Sequence, residues 1–246
     1  MAQEQRKKYP EFRLLGDQVV VVQFENEVSA EVNQKVRSLA SNIERAGIKG
    51  ITELIPTFNS LAVCYDPLTI SFPKLIDKLE QLNADSKAEG EQRSKTVHIP
   101  VVYGGEYGPD VEEIARIKGL TTEEVIRLHH SRPYLVYMVG FIAGFPYCGD
   151  VDERLAVPRR ANPRLRLPKG TIALANKQTG IYTIASPGGW HMLGWTPMET
   201  FNPYRNPPSL LLAGDYIKFE PITAAEAEGW DERKQREWDQ TWNTSK

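Results

Sequence analysis

A chain of 246 residues is long enough for one large or two small domains with a sizeable core, and 41% hydrophobic with 25% charged residues is the balance of a soluble globular protein. Thirty basic against 32 acidic residues leave a net charge of −2, which argues against nucleic acid or an anionic membrane as a general partner. No apolar run reaches the roughly 18 residues of a membrane span. Residues 1–10 are polar and charged, unlike a secretory signal, and Cys64 and Cys148 make neither a disulfide framework nor a Cys-x-x-Cys zinc motif; a cytoplasmic protein with no metal site is expected.

After the charged leader of residues 1–10, Gly16 to Phe24 contains the β-branched run Val19 to Val22, which reads as a buried strand. Ser29 stands as an N-cap, and Val32, Val36, Leu39, Ala40 and Ile43 recur on one helical face. Gly47 is placed to end that helix. Ile51 to Ile55 and Ser60 to Tyr65 read as strands around a Pro-Thr-Phe-Asn turn, and a helix starting near Ser71 presents Leu75, Ile76, Leu79 and Leu82 inward. The order β-α-β-β-α becomes a split βαβ, ferredoxin-like unit, assigned to residues 11–93, once a further strand at Lys95 to Val102 is added. Asn83 to Ser94, polar and charged, is the natural linker.

Gly104 to Asp110 is a glycine-rich turn into a helix, with Asp110 and Glu113 at capping-box spacing. Thr121 or Thr122 opens a second short helix, and Glu124 stands three residues after Thr121. From Tyr134 onward, short aliphatic and aromatic runs recur between turns: Leu135 to Phe141, Thr171 to Ala175, Gly180 to Ala185, Trp190 to Trp195 and Asp215 to Phe219. That spacing predicts a closed or nearly closed barrel, assigned to residues 94–223, in a chain that is α+β overall. The tail, residues 224–246, is charged but carries Trp230, Trp238 and Trp242; on a helix the last two share a face, so the tail is expected to dock on the chain's own surface, with docking on a partner as the alternative.

Chemistry concentrates between Val139 and Pro197, where glycine, proline, arginine and aromatic residues crowd together without a helical period. There is no G-x-x-x-x-G-K-[ST] phosphate loop and no G-x-S-x-G elbow, which argues against a self-contained P-loop ATPase or an α/β-hydrolase. Arg159 and Arg160, beside rigid Pro158, have the planar forked donors of an anion clamp. Gln178 offers an amide, Tyr182 a phenol and Trp190 an indole over a flat apolar surface, a set able to hold a small amide. His98, on a strand entering the barrel, is the histidine most worth following; His129 and His130 end a helix and suit its dipole, and His191 has no acidic orienting residue visible in sequence.

The runs GFIAGFPY (Gly140 to Tyr147), LAVPRRANPRLRLPKG (Leu155 to Gly170), QTGIY (Gln178 to Tyr182), SPGGW (Ser186 to Trp190), GWTP (Gly194 to Pro197) and HIPVVYGGEYGPD (His98 to Asp110) resemble the KipI/PxpB family, also labelled allophanate hydrolase subunit one. The resemblance implies a cyclophilin-like barrel and a B subunit of the bacterial ATP-dependent 5-oxoprolinase. ATP would then be used by a complex with PxpA (LamB-like) and PxpC (KipA-like) partners, with homodimerisation left open. It also implies a second role, a KipI-type inhibitor that binds the phosphotransfer domain of a sporulation sensor histidine kinase. Within its motifs the resemblance favours Arg160, and a ligand pocket of His98, Phe145, Pro146, Arg160, Gln178, Tyr182 and Trp190 is expected. No catalytic residue is assigned. The sequence departs from the family pattern at Ile142-Ala143 and at Ala175-Asn176-Lys177.

Overall fold

A computed structural model describes residues 9–84 and 94–243; most of the expected leader and linker lies outside them. The chain divides between residues 92 and 93 into two units, each mixing helices with strands. Among the described residues no helix is long and apolar enough to cross a membrane.

The first unit runs β1 (Glu11–Leu14), β2 (Val19–Gln23), α1 (Ala30–Ala46), β3 (Ile51–Pro56), β4 (Ser60–Tyr65) and α2 (Phe72–Ala84). Its sheet has the order β1-β2-β4-β3 and is antiparallel throughout. Strand alternation sends Val20 and Val22 of β2 and Leu61, Val63 and Tyr65 of β4 to one face. Val32, Val36, Leu39 and Ile43 of α1 and Leu75 and Leu79 of α2 cover that face. Ser29 Oγ accepts the Val32 N–H at the start of α1, and Gly47 closes it at φ 55°.

The strand expected to complete this sheet, Lys95 to Val102, does not join it. It belongs to the barrel, and Glu11–Leu14, not read as a strand in the sequence, fills the edge beside β2. Burial explains the exchange. Residues 97 and 99–102 are all buried, as suits a strand packed on both faces, whereas β1 is short, half exposed and anchored chiefly by Phe12, as suits an open edge.

The second unit starts with β5 (Thr96–Tyr103), α3 (Val111–Lys118), α4 (Thr122–His130), β6 (Tyr134–Val139) and β7 (Pro146–Gly149). It continues with β8 (Arg164–Leu167), β9 (Thr171–Ala175), β10 (Gln178–Ile181), β11 (Ser186–Gly188), β12 (His191–Trp195), β13 (Tyr216–Pro221), α5 (Ala224–Ala227) and α6 (Glu232–Trp238). Seven of these strands close a barrel in the order β10-β7-β6-β13-β5-β12-β9, and β8 and β11 pair antiparallel in a separate two-stranded sheet. Val97, Ile99 and Val101 meet Ile172, Leu174 and Phe219 in its core, which Ile114 of α3 and Leu128 of α4 join. The capping box at the start of α4, Thr121 with Glu124, forms as expected.

His129 departs from the helix-dipole expectation. Its side chain is fully buried and stacks on Phe219 with ring centroids 4.7 Å apart. Thr179 Oγ1 donates to the Ala173 carbonyl (3.1 Å) and accepts from His129 Nε2 (2.8 Å), which leaves Nδ1 to accept from Tyr103 Oη (2.8 Å). Burial, with the charges of His130 and Lys218 adding to it, pushes the imidazole down to about 3, so the ring is a neutral structural bridge.

The tail docks on the chain's own barrel unit. β12 pairs with β5 only at Val102 and Tyr103, so the backbone at His98 lies beyond its reach. There Asn243 Oδ1 accepts the His98 N–H (2.6 Å), the His98 carbonyl accepts from Trp238 Nε1 (2.8 Å), and Trp242 lies over the His98 ring at 5.1 Å.

Candidate functional site

Alternation along β9 and β10 builds an apolar face on the outside of the barrel. Ile172 and Leu174 point inward; Ala173 and Ala175 point out, and so do Gln178 and Gly180 of β10. These small residues leave a hollow that Phe145, Tyr182, Trp190 and Met192 fill. Phe145 is the hub, in edge contact with Tyr182 (5.1 Å), Trp190 (5.5 Å) and Tyr147 (4.9 Å). A Cβ on Gly180 would stand 2.6 Å from the Pro146 carbonyl oxygen and 2.8 Å from the Phe145 ring, and one on Gly188 would stand 2.2 Å from Tyr182 Oη, so glycine is what permits the approach at both positions. Phe141, 62% exposed, touches the rim.

Phe145, Tyr182 and Trp190 therefore pack on one another and fill the hollow themselves, with the Pro146 carbonyl beside Gly180 and Gln178 on the same face opposite Ala175. Exposed Arg159 acts on this side. Burial raises the Tyr182 phenol to about 12 and also raises Tyr147, while the Arg159 charge works in the opposite direction on both. His98 is not part of the group: its Nδ1 lies 2.8 Å from Glu220 Oε1, and its other contacts are with the tail. Asn243 and Trp242 reach it because β5 has a free edge there, which sequence alone does not show.

Arg160 goes the other way and is not an open anion clamp. Its backbone N–H binds the Gly189 carbonyl (2.8 Å), but its Nη1 donates to Asp110 Oδ1 (3.0 Å) and Glu113 Oε2 (2.7 Å). Arg164 completes the pairing with a fork on Asp110, 2.7 Å on each arm, and the Met192 N–H donates to the same carboxylate at 2.7 Å. This explains why Asp110, although at the N-cap position of α3, makes no side-chain cap: its oxygens are drawn to groups far along the chain. Burial opposes its charge, yet the Arg164 and Met192 hydrogen bonds hold its carboxyl below the ordinary range. The nearer acids of the loop have other partners, Asp152 with Arg132 and Arg154, and Glu153 with Lys177.

His191 borders the same cluster. Its Nε2 lies 3.0 Å from the Pro158 carbonyl, which can only accept, so Nε2 carries a proton. Nδ1 faces Glu113 Oε2 at 3.9 Å, beyond hydrogen-bond reach, and is buried without a partner. Asp110, Glu113 and His191 have ligand atoms within 4.8 Å of one another, but the charge of both carboxylates is matched by the two arginines. Sequence reasoning does not assign Asp110, Glu113, Arg164 and His191 to a site. Their only signals are the PRRANPR arginines and the Asp110/Glu113 spacing, and nothing local pairs the two.

The profile described as "Carboxyltransferase domain, subdomain C and D" matches residues 10–211 of this chain. The 5-oxoprolinase B subunit of Bacillus subtilis (strain 168) is 41% identical over 228 residues, 89% of this chain and 95% of that protein. The 5-oxoprolinase B subunit of Escherichia coli O157:H7 is 37% identical over 209 residues, 85% of this chain and 94% of that protein. The crystal structure of TTHA0988 superposes with a TM-score of 0.75 at 35% identity; the match covers 84% of this chain but only 40% of that longer one.

Proposed function

Since the chain belongs to the carboxyltransferase-domain family of subdomains C and D, among relatives that are 5-oxoprolinase B subunits, we propose that it serves as the B subunit of an ATP-dependent 5-oxoprolinase. The complex would open the lactam of 5-oxo-L-proline to L-glutamate. The observation that carries this reading is 41% identity extending over 95% of a B subunit. A lactam amide is unreactive, and ATP would activate it by phosphorylating the carbonyl oxygen, a step that donors aimed at the developing charge assist. This sequence holds no phosphate loop, so the chain is expected to be inactive alone and to depend on A and C subunits.

The same reading makes the first unit, residues 11–93, a ferredoxin-like layer in which β1 takes the place of the last strand. It makes residues 94–223 a cyclophilin-like barrel, followed by the tail, in a cytoplasmic protein. Reconstitution tests the proposal: the chain is mixed with and without A and C subunits, ATP and 5-oxo-L-proline, and glutamate release is followed. Release is expected only from the full set. Equal release when this chain is omitted would overturn the reading, and suppression of a sensor kinase's autophosphorylation by the isolated chain would then favour the inhibitor role.

A further inference from the structure

We propose that His98 is a pH-sensitive latch for the tail: the protonated imidazolium tightens the grip of the last helical turns on the barrel, and loss of the proton loosens it. The grip closes a gap in the barrel wall. From Thr96 to Val101, β5 pairs with β13 on one side, but β12 on the other side reaches only Val102 and Tyr103. The Lys95 and Val101 carbonyls accept from Tyr216 and Ile222 on the β13 side, so strand alternation turns the N–H and C=O of His98 toward the unpaired edge. Asn243 supplies there what a neighbouring strand would. Its Oδ1 accepts the His98 N–H at 2.6 Å, and its Nδ2 donates at 3.3 Å to the His98 carbonyl, which also accepts from Trp238 Nε1 at 2.8 Å.

The side chain of the same residue senses the solution. Its Nδ1 lies 2.8 Å from Glu220 Oε1, and the side chain is 23% exposed, so a proton can reach the ring. What the tail brings to it favours the charged form. Trp242 lies over the ring with centroids 5.1 Å apart and planes 30° apart, and an indole face attracts a cation. Trp242 and Asn243 stand at the C-terminal, negative end of the last helical segment, Asp239–Asn243. Asp239 adds a carboxylate close by, since its Oδ1 accepts from Asn243 Nδ2, the same nitrogen that reaches the His98 carbonyl.

The barrel presents both signs of charge. Glu220 faces the ring, and Lys218, opposite His98 in the β5–β13 register, turns its Nζ to the His130 carbonyl. His130 of α4 also feels Glu220, but burial and the Lys218 charge push its imidazole down, so it titrates in more acid solution than an ordinary histidine. Glu220 and Lys218 act on His98 whether or not the tail is docked; the tail contacts alone couple the proton to docking. Coupling is reciprocal: whatever docking adds to the proton affinity of His98, the proton adds to docking. A contact of this sign is strongest in acid and weakens as pH rises through the imidazole range.

The test uses the full chain and follows amide exchange at position 98, expressed as protection relative to the intrinsic rate so that the chemical pH dependence cancels. Between about pH 5.5 and 8, protection there should fall about fivefold, the size of one cation–π contact with a helix-end contribution. Val136, whose N–H is bonded to the Asp215 carbonyl in the barrel wall, should hold constant. His98→Gln keeps the backbone N–H and a donor for Glu220 but cannot take up charge, and should abolish the fall; His130→Gln should leave it unchanged. Constant protection in the wild type overturns the proposal, as does an equal fall in His98→Gln or its loss in His130→Gln. The reciprocal measurement is the NMR titration of the His98 ring, whose midpoint should lie lower in Trp242→Leu than in the wild type; equal midpoints would also overturn it.

Discussion

His129 and His191 are both buried in the barrel unit, at 0% and 4% exposure, yet they are bonded in opposite ways. His129 has both nitrogens engaged, by Tyr103 and Thr179, and a ring stacked on Phe219; nothing remains for it to do except hold α4 to the barrel. His191 has one nitrogen on a carbonyl and the other open toward a charged cluster. Burial alone therefore does not separate a structural histidine from one at a site; the count of satisfied nitrogens does. The same division runs through neighbouring residues, since Trp190 joins the aromatic hollow and His191 the polar cluster, while Arg159 acts on the tyrosines and Arg160 on the acids.

The contrast can be broken most forcefully at the structural end. His129→Ala leaves a cavity and strands the Tyr103 and Thr179 hydroxyls, and should cost about 4 kcal/mol in chemical denaturation. A loss under about 1 kcal/mol would mean that the bridge is not structural. Asp110→Asn keeps a group for the Met192 N–H but leaves Arg160 and Arg164 without their shared carboxylate. Because both arginines are partly exposed, the expected loss is about 2 kcal/mol, less than for a fully buried pair.

A pH series sharpens the comparison further. The folded His129 imidazole sits at about 3, below its ordinary value, so the unfolded chain takes up a proton first as the solution is acidified. Its contribution is full above pH ~6.5 and is lost as pH falls toward 3, at about 1.4 kcal/mol per pH unit. A His129→Gln variant should flatten this part of the stability curve, which unfolding midpoints between pH 7 and 5 would show.

What was legible in the sequence follows from range. The α1 stripe of Val32, Val36, Leu39 and Ile43, its Ser29 and Gly47 ends, and the Thr121–Glu124 box are local patterns, and all formed. The closing of the barrel was readable from the spacing of its strands, and the aromatic hollow from the density of GFPY, QTGIY and SPGGW. The exchange of β1 for β5 was not, because a short run such as EFRL carries no signal of which sheet edge it will cover. Nor was the polar cluster, whose links join Asp110 to Arg160 and Arg164 across 50 and 54 residues. The capping-box spacing of Asp110 and Glu113 pointed to a local role that long-range charge pairing displaced.

The most direct measurement is glutamate release from 5-oxo-L-proline by a complex reconstituted with ATP and A and C subunits, with this chain present or omitted. Release is expected only when the chain is present. Equal release without it would contradict the account.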